Sequence, residues 1–229
     1  MLLLSTDTSG RQGSIALARA GDATQSDGVE VIEVVALDGG AFSAQLVPQI
    51  ADLLARHGFG KQEIDGFIVA SGPGSFTGLR VGLAAIKALA EISRKPIVAM
   101  SLLEALAIIS GLQGSVRAVL DAGREEVYCG EYEVTVDAAK LVREELLNKE
   151  EFLVKARNAK MVTSNDKLAD AARAAGLAVT PVRMIDAGTI ACLGWRKLQT
   201  DDTVSPEQLE ANYIRRTDAE ILAKPSAGR

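Results

Sequence analysis

Histidine is nearly missing from this chain of 229 residues; the only one is His57. A histidine relay or a histidine-built metal centre would have to rest on that one side chain. Its position at the end of an apolar helical pattern reads instead as a helix-terminus histidine. Cysteine is scarce as well: Cys129 and Cys192 stand alone, without Cys-x-x-Cys spacing. That excludes a disulfide framework and predicts two reduced, buried thiols in a cytosolic protein. Aromatic residues make up only 4%, so a core drawn from the 48% hydrophobic content must be packed with aliphatic side chains and alanine. Positive charge is in deficit, with 25 Lys and Arg against 30 Asp and Glu and a net charge of −5. Such a chain is a poor candidate for strong, sequence-independent attachment to nucleic acid, although it can work beside a partner that binds RNA. No apolar run approaches membrane-spanning length. Met1–Leu4 is too short, and lacks the charged flank, for a secretory signal, so a cytoplasmic location is expected.

What is present has a clear order. The length suits one large domain or two small ones. Leu2–Thr6, Ser14–Ala20 and Val29–Leu37 read as three strands of an antiparallel meander. A helical pattern follows, with Leu46, Val47, Ile50, Leu53 and Leu54 at helical spacing, Ser43 as its expected N-cap and Gly58 as its stop. Pro48 implies a slightly irregular start. Strand Gly66–Ala70, helix Thr77–Ile92, strand Pro96–Met100 and a helix capped by Ser101 complete a mixed sheet with covering helices. Gly111–Ser115 is the best boundary, giving an N-terminal lobe of residues 1–110 and a C-terminal lobe and tail of residues 111–229. The second half predicts strands at Val116–Leu120, Glu126–Val134 and Met161–Thr163, and helices at Asn148–Lys155, Leu168–Ala175 and Ala187–Gln199. Both halves follow a hairpin-then-α/β plan, which suggests duplicated lobes. The tail from Pro206 is expected to pack loosely.

The densest signal is Ser71-Gly72-Pro73-Gly74-Ser75-Phe76-Thr77-Gly78-Leu79-Arg80. It describes a sharp strand-to-helix turn that exposes backbone N–H groups at a helix start, where anions can be held. On a helical wheel Gly78, Gly82, Ala85 and Ala88 form a small-residue face, and Leu79, Leu83, Ile86, Leu89 and Ala90 fill the adjoining sector. Polar residues are confined to a stripe of Arg80, Lys87 and Glu91. The apolar arc is wider than one covering layer needs, and small residues let another helix approach closely. Two readings stay open here: a helix buried within its own domain, or a protein–protein interface to which the Leu46–Leu54 stripe also contributes.

Two polar turns occupy matching places in the halves. Asp7-Thr8-Ser9 would approach phosphate with hydroxyls and N–H groups while Asp7 organised hydrated Mg²⁺; the plainer reading is a turn satisfying its own backbone. Asp121 and Arg124 mark the second turn, either facing phosphate or forming a solvated hairpin. Ser75 is no nucleophile elbow, because Gly74 directly precedes it and no histidine can be placed as its base. The turn also lacks the Gly-Lys-Ser/Thr ending of a P-loop.

Leu4–Ser9, Gly72–Gly82, Val98–Leu102, Leu120–Tyr128 and the closing Asn212-Tyr213-Ile214-Arg215 together resemble the TsaB (YeaZ) family, over residues 1 to about 216. The resemblance implies a two-lobed α/β fold of the actin-like, Hsp70-like, sugar-kinase-like kind, with mixed sheets covered by helices. It implies a non-catalytic subunit that pairs with a homologous catalytic subunit, TsaD, and recruits a small ATPase, TsaE. That complex transfers threonylcarbamoyl to N6 of the adenosine following the anticodon in tRNA, which this subunit would meet only through the complex. The implied interface is Leu46, Ile50, Gly78, Leu79, Gly82, Leu83, Ala85, Ile86, Ala88 and Leu89, and a homodimer could use the same face. Phe42 stands where the family commonly has histidine. No metal and no cofactor of its own are expected; ATP or ADP at the junction with the partner is compatible. Val162–Asp166, the counterpart of the Gly-Gly turn that nucleotide-binding relatives place against adenosine, lacks that dipeptide. The competing functional class is a stand-alone enzyme, a small-molecule kinase of this fold or an M22-type peptidase.

Overall fold

The structure, a computed structural model, describes residues 1–21, 28–136, 138–156 and 159–214. The first half is β1 (Leu2–Asp7), β2 (Gly13–Ala20), β3 (Val29–Leu37), α1 (Phe42–Arg56), β4 (Gly66–Gly72), α2 (Phe76–Ser93), β5 (Ile97–Ser101) and α3 (Leu102–Ile109). The second is β6 (Gly114–Gly123), β7 (Glu126–Val134), β8 (Ala139–Asn148), α4 (Lys149–Lys155), β9 (Lys160–Thr163), α5 (Asp166–Ala174), β10 (Ala178–Pro181) and α6 (Ala187–Gln199).

Each half builds one five-stranded sheet, ordered β3-β2-β1-β4-β5 and β8-β7-β6-β9-β10. In each, the first three strands are antiparallel and the last two join in parallel. The two lobes therefore repeat one topology, as the sequence plan suggested. β1 is buried along its whole length because it lies mid-sheet with both faces covered. One face, with Leu2 and Leu4, packs against α1 and α2; the other, with Leu3 and Ile68, packs against α6. α3 lies between the lobes: Leu102 and Ala105 belong to the first lobe's core, and Leu103 and Leu106 to the second's. α4 and α5 cover the far face of the second sheet through Phe152, Leu168 and Ala172.

Several local expectations need correction. Ser43 does not cap α1; the helix starts after Ala41 without a side-chain cap, and Ser43 is exposed in its first turn. Pro48 lies inside α1, where its missing N–H deprives the preceding turn of one hydrogen bond. Strands β8 and β10 were not legible: β8 is a largely solvent-facing edge rich in charge, and β10 has only four residues. The span 111–229 is not one unit either. α6 packs on the first sheet, closely enough that a Cβ on Gly194 would come within 2.5 Å of Ile68 Cγ2. Nor does the tail pack loosely throughout, since Leu209 is 1% exposed and sits in the first lobe's core. The rest of the tail, residues 215–229, lies outside the described residues.

Candidate functional site: an interlobe cleft and a helical face

Three turns converge on a cleft of about 1000 Å³ between the lobes: the turn after β1, the glycine turn before α2, and the β6–β7 hairpin. The glycine turn is tied to the first turn by Ser75 N donating to Ser9 O at 2.7 Å. Ser75 Oγ accepts from Gly78 N at 3.3 Å and so caps α2, which gives this serine a structural task.

The small residues of α2 meet the chain's own first turn. Thr8 lies against the first two turns of the helix and donates from Oγ1 to Gly78 O at 2.7 Å. A Cβ on Gly78 would stand 2.0 Å from Thr8 O, and one on Gly82 would stand 2.3 Å from Thr8 Oγ1. A Cβ on Gly74 would collide with Ser9 in the same way, at 2.5 Å from its carbonyl oxygen. These glycines are required because a strand end, not a second helix, occupies the notch.

The interface expected from the sequence is corrected accordingly. Gly78 and Gly82 are enclosed by Thr8, while Leu46, Ile50, Leu79, Leu83 and Ile86 lie in the first lobe's core. Their periodicity marked the buried side of α1 and α2. Of the expected residues, Ala85 and Leu89 remain half-buried and Ala88 is exposed. The uncovered face of this helix pair runs instead through Ala44, Val47 and Ala51 on α1 and Ala84, Ala88 and Ile92 on α2. Val47 is 56% and Ile92 71% exposed, and Arg80 and Glu91, each one helical turn from Ala84 or Ala88 on α2, edge the patch with charge.

Asp7 is buried, and its Oδ1 accepts from Ser9 N at 2.8 Å. Burial raises its pKa above the ordinary carboxylate value, Ser9 opposes this through its hydrogen bonds, and the nearby charge of Asp186 adds to it. Asp186 caps α6, accepting from Thr189 N and Oγ1 at 2.7 and 2.8 Å. In the second lobe Asp121 lines the cleft and accepts from Gly123 N at 3.1 Å. Arg124 and Glu125 form the two-residue tip with φ of 54° and 59°, the positive-φ pair of a primed hairpin turn. Arg124 is exposed at that tip and does not line the cleft.

Phe42 covers the first turn rather than acting in place of histidine. A Cβ on Gly13 would come 2.8 Å from its ring, and the side chain is 8% exposed. His57 ends α1 and holds Glu33 Oε2 at 2.7 Å. Among the described residues no group of three or more His, Cys, Asp or Glu side chains gathers in metal-binding fashion. Cys129 is buried, which pushes its thiol up to about 11, and Cys192 is half-buried; neither forms a disulfide. The Val162–Asp166 turn is occupied by capping, since Asn165 Oδ1 accepts from Leu168 N at 2.9 Å.

One cluster was missed by sequence reasoning. Tyr213 packs on Phe76 with ring centroids 5.0 Å apart and accepts from Arg80 Nε at 3.1 Å. The Asn212-Tyr213 pair was conspicuous in the sequence, but only the fold shows that it returns to the start of α2.

Two lobes of one topology, a cleft ringed by their hairpin turns and a glycine turn opening the central helix define an α/β protein of the actin-like, Hsp70-like, sugar-kinase-like class. Comparison with known proteins narrows this. The family model for TsaD, tRNA N6-adenosine threonylcarbamoyltransferase, matches residues 39–200. A Bacillus subtilis protein named tRNA threonylcarbamoyladenosine biosynthesis protein TsaB is 33% identical over 134 residues, 58% of this chain and 56% of that one. The matched stretch spans about half the length of the curated TsaB relatives. An uncharacterised Mycobacterium tuberculosis protein is 30% identical over 210 residues, 89% of each chain. A solved structure, described as an uncharacterised protein with similarity to peptidase YeaZ from Pseudomonas aeruginosa, superposes with a TM-score of 0.73 at 26% identity, over 93% of this chain and 99% of that one. The chain belongs to the TsaB (YeaZ) family.

Proposed function

We propose that this chain is a non-catalytic, structural and activating subunit in the biosynthesis of threonylcarbamoyladenosine in tRNA, and that it pairs with a TsaD-type catalytic subunit through the outer face of α1 and α2. The observation that carries the reading is that face: alanine, valine and isoleucine side chains left uncovered on two adjacent helices, edged by charge. An apolar centre with a polar rim is the anatomy of a specific protein contact, and small side chains there suit a close-packed helical partner. The commitment of the polar turns supports the non-catalytic part. Thr8 and Ser75 spend their hydroxyls on Gly78, and the Asp7 and Asp121 carboxylates accept bonds from their own turns.

In this reading a TsaE-type ATPase joins the pair in the cytoplasm, tRNA is met only through the complex, and any ATP or ADP lies at the junction with the partner. The lone chain is then titrated into a TsaD-type subunit in a calorimeter, with light scattering to report self-association. Association of low-micromolar affinity or tighter is expected, weakened about tenfold or more, ~1.4 kcal/mol, by Ala88→Arg. Threonylcarbamoyl transfer, kinase or peptidase activity by the lone chain would overturn the non-catalytic role. Undiminished pairing of a folded Ala88→Arg variant would overturn the interface, and self-association lost with that substitution would identify a homodimer on the same face.

A further inference from the structure

The carboxylate of Glu144, on β8 in the second lobe, is gripped by three separate stretches of chain. Its Oε1 accepts from Ser101 Oγ at 3.0 Å and from Tyr132 OH at 2.5 Å, and its Oε2 accepts from Asn212 Nδ2 at 2.5 Å. Ser101 caps α3 and Tyr132 lies on the neighbouring strand β7. Asn212 belongs to the returning segment whose other end is anchored by Leu209 in the first lobe's core.

That segment lies across the glycine turn. Asn212 N donates to Ser71 O at 2.7 Å, and a Cβ on Gly72 would come within 3.0 Å of Asn212 O. The next residue, Tyr213, contacts Phe76 and Arg80 in the first two turns of α2. Gly72, at φ of 123°, is the pliant point of the turn beneath: Pro73 is restricted by its ring and Ser75 is held by Ser9 O, whereas glycine leaves the backbone the widest choice of conformations. Something outside the turn must narrow that choice. Asn212 contacts it directly, and a carboxylate accepting charge-assisted hydrogen bonds is a strong anchor for Asn212.

We propose that Glu144 is a positioning residue: from the second lobe it fixes residues 209–214 as a strap over the glycine turn, and so sets the geometry of the start of α2. The functional consequence rests on the reading of α1 and α2 as the partner face, but the mechanical claim concerns the lone chain and is tested on it.

The test inverts the donor and the acceptor. Asn212→Asp places a second carboxylate against Glu144 and breaks the anchor. Adding Glu144→Gln restores it with the roles exchanged: the new amide donates to the new carboxylate while its carbonyl oxygen still accepts from Ser101 and Tyr132. Hydrogen exchange of the full chain is followed at the amides of Gly72 and residues 74–79 and, as a control, at β7. Loss of a hydrogen bond to a charged group is expected to speed exchange in the turn about tenfold or more while β7 changes little, and the double substitution is expected to return the turn close to the wild-type rate. An unchanged turn in Asn212→Asp, equal acceleration at both places, or failure of the double substitution to restore protection overturns the proposal. Affinity for a TsaD-type subunit is measured separately, so a failed partner assignment leaves the exchange result standing.

Discussion

Gly82→Ala tests the packing of Thr8 on α2. Alanine is about 1 kcal/mol better than glycine in a helix interior, so an exposed site would gain stability. Here the new methyl would lie 2.3 Å from Thr8 Oγ1, more than 1 Å inside ordinary contact, and overpacking of this kind costs about 1–3 kcal/mol. Taking the upper part of that range, the net loss is about 1–2 kcal/mol, or a fall in Tm of about 2–8 °C for a chain of this size. Thr8→Ala alone should lose about 1 kcal/mol with its hydrogen bond to Gly78 O. It also removes the obstruction, because the next nearest Thr8 atom is Cβ at 3.5 Å. In that background Gly82→Ala should gain about 1 kcal/mol, bringing the double variant near wild-type stability with a coupling of about 2–3 kcal/mol. Chemical denaturation of the four proteins at pH 7 measures the cycle. Additive losses, or a Gly82→Ala variant as stable as wild type, would refute the close approach of Thr8. Because Gly82 faces inward, the single variant should bind a partner normally wherever it remains folded.

Ser75→Ala should destabilise the fold by about 1 kcal/mol and Ser75→Asp should recover most of it, as an N-cap requires and a nucleophile does not; thermal melts distinguish the two. Thr6→Val should raise stability by about 1 kcal/mol, because Thr6 Oγ1 is buried without a protein hydrogen-bond partner among the described residues; a loss on chemical denaturation would contradict this. Burial holds the folded-state pKa of Asp7 above its ordinary carboxylate value. The folded chain therefore binds the proton more tightly than the unfolded one, and this contribution to stability is fully present below pH ~4 and declines as pH rises through the folded pKa. Asp7→Asn keeps an acceptor for Ser9 N, so it should stabilise the protein at pH 7 with an advantage that shrinks towards pH ~4; an advantage that grows on acidification would reverse the sign.

The fold was legible wherever a strand or helix is buried on a regular face. β1, β3, β7 and α6 announced themselves by apolar runs or alternation, and the repeated hairpin-then-α/β plan gave the duplicated lobes. The edges were not legible, because β8 alternates weakly and carries charge at four of its ten positions, and β10 has only four residues. For the site, the sequence marked the glycine turn and set the two aspartate turns at matching places in the halves, and only the fold brings the three to one cleft. It misjudged the helix face because glycine spacing shows that something approaches closely without showing what. A strand end and a second helix demand the same absence of side chain, and Thr8 lies seventy residues before its notch. Apart from Ala88, the uncovered face was hidden for a related reason: alanines at 44, 51 and 84 carry little signal in a chain whose core also relies on alanine.

The return of α6 to the first sheet has a consequence during synthesis. The N-terminal strands leave the ribosome with one sheet face complete, under α1 and α2, while Leu3, Ile68 and Met100 wait for Ile190, Ala191 and Trp195. At typical translation rates the intervening hundred or so codons take about 5–20 s. Through that interval the nascent chain carries an open greasy surface, so its early folding should depend on chaperone shielding more than the size of the finished protein would suggest.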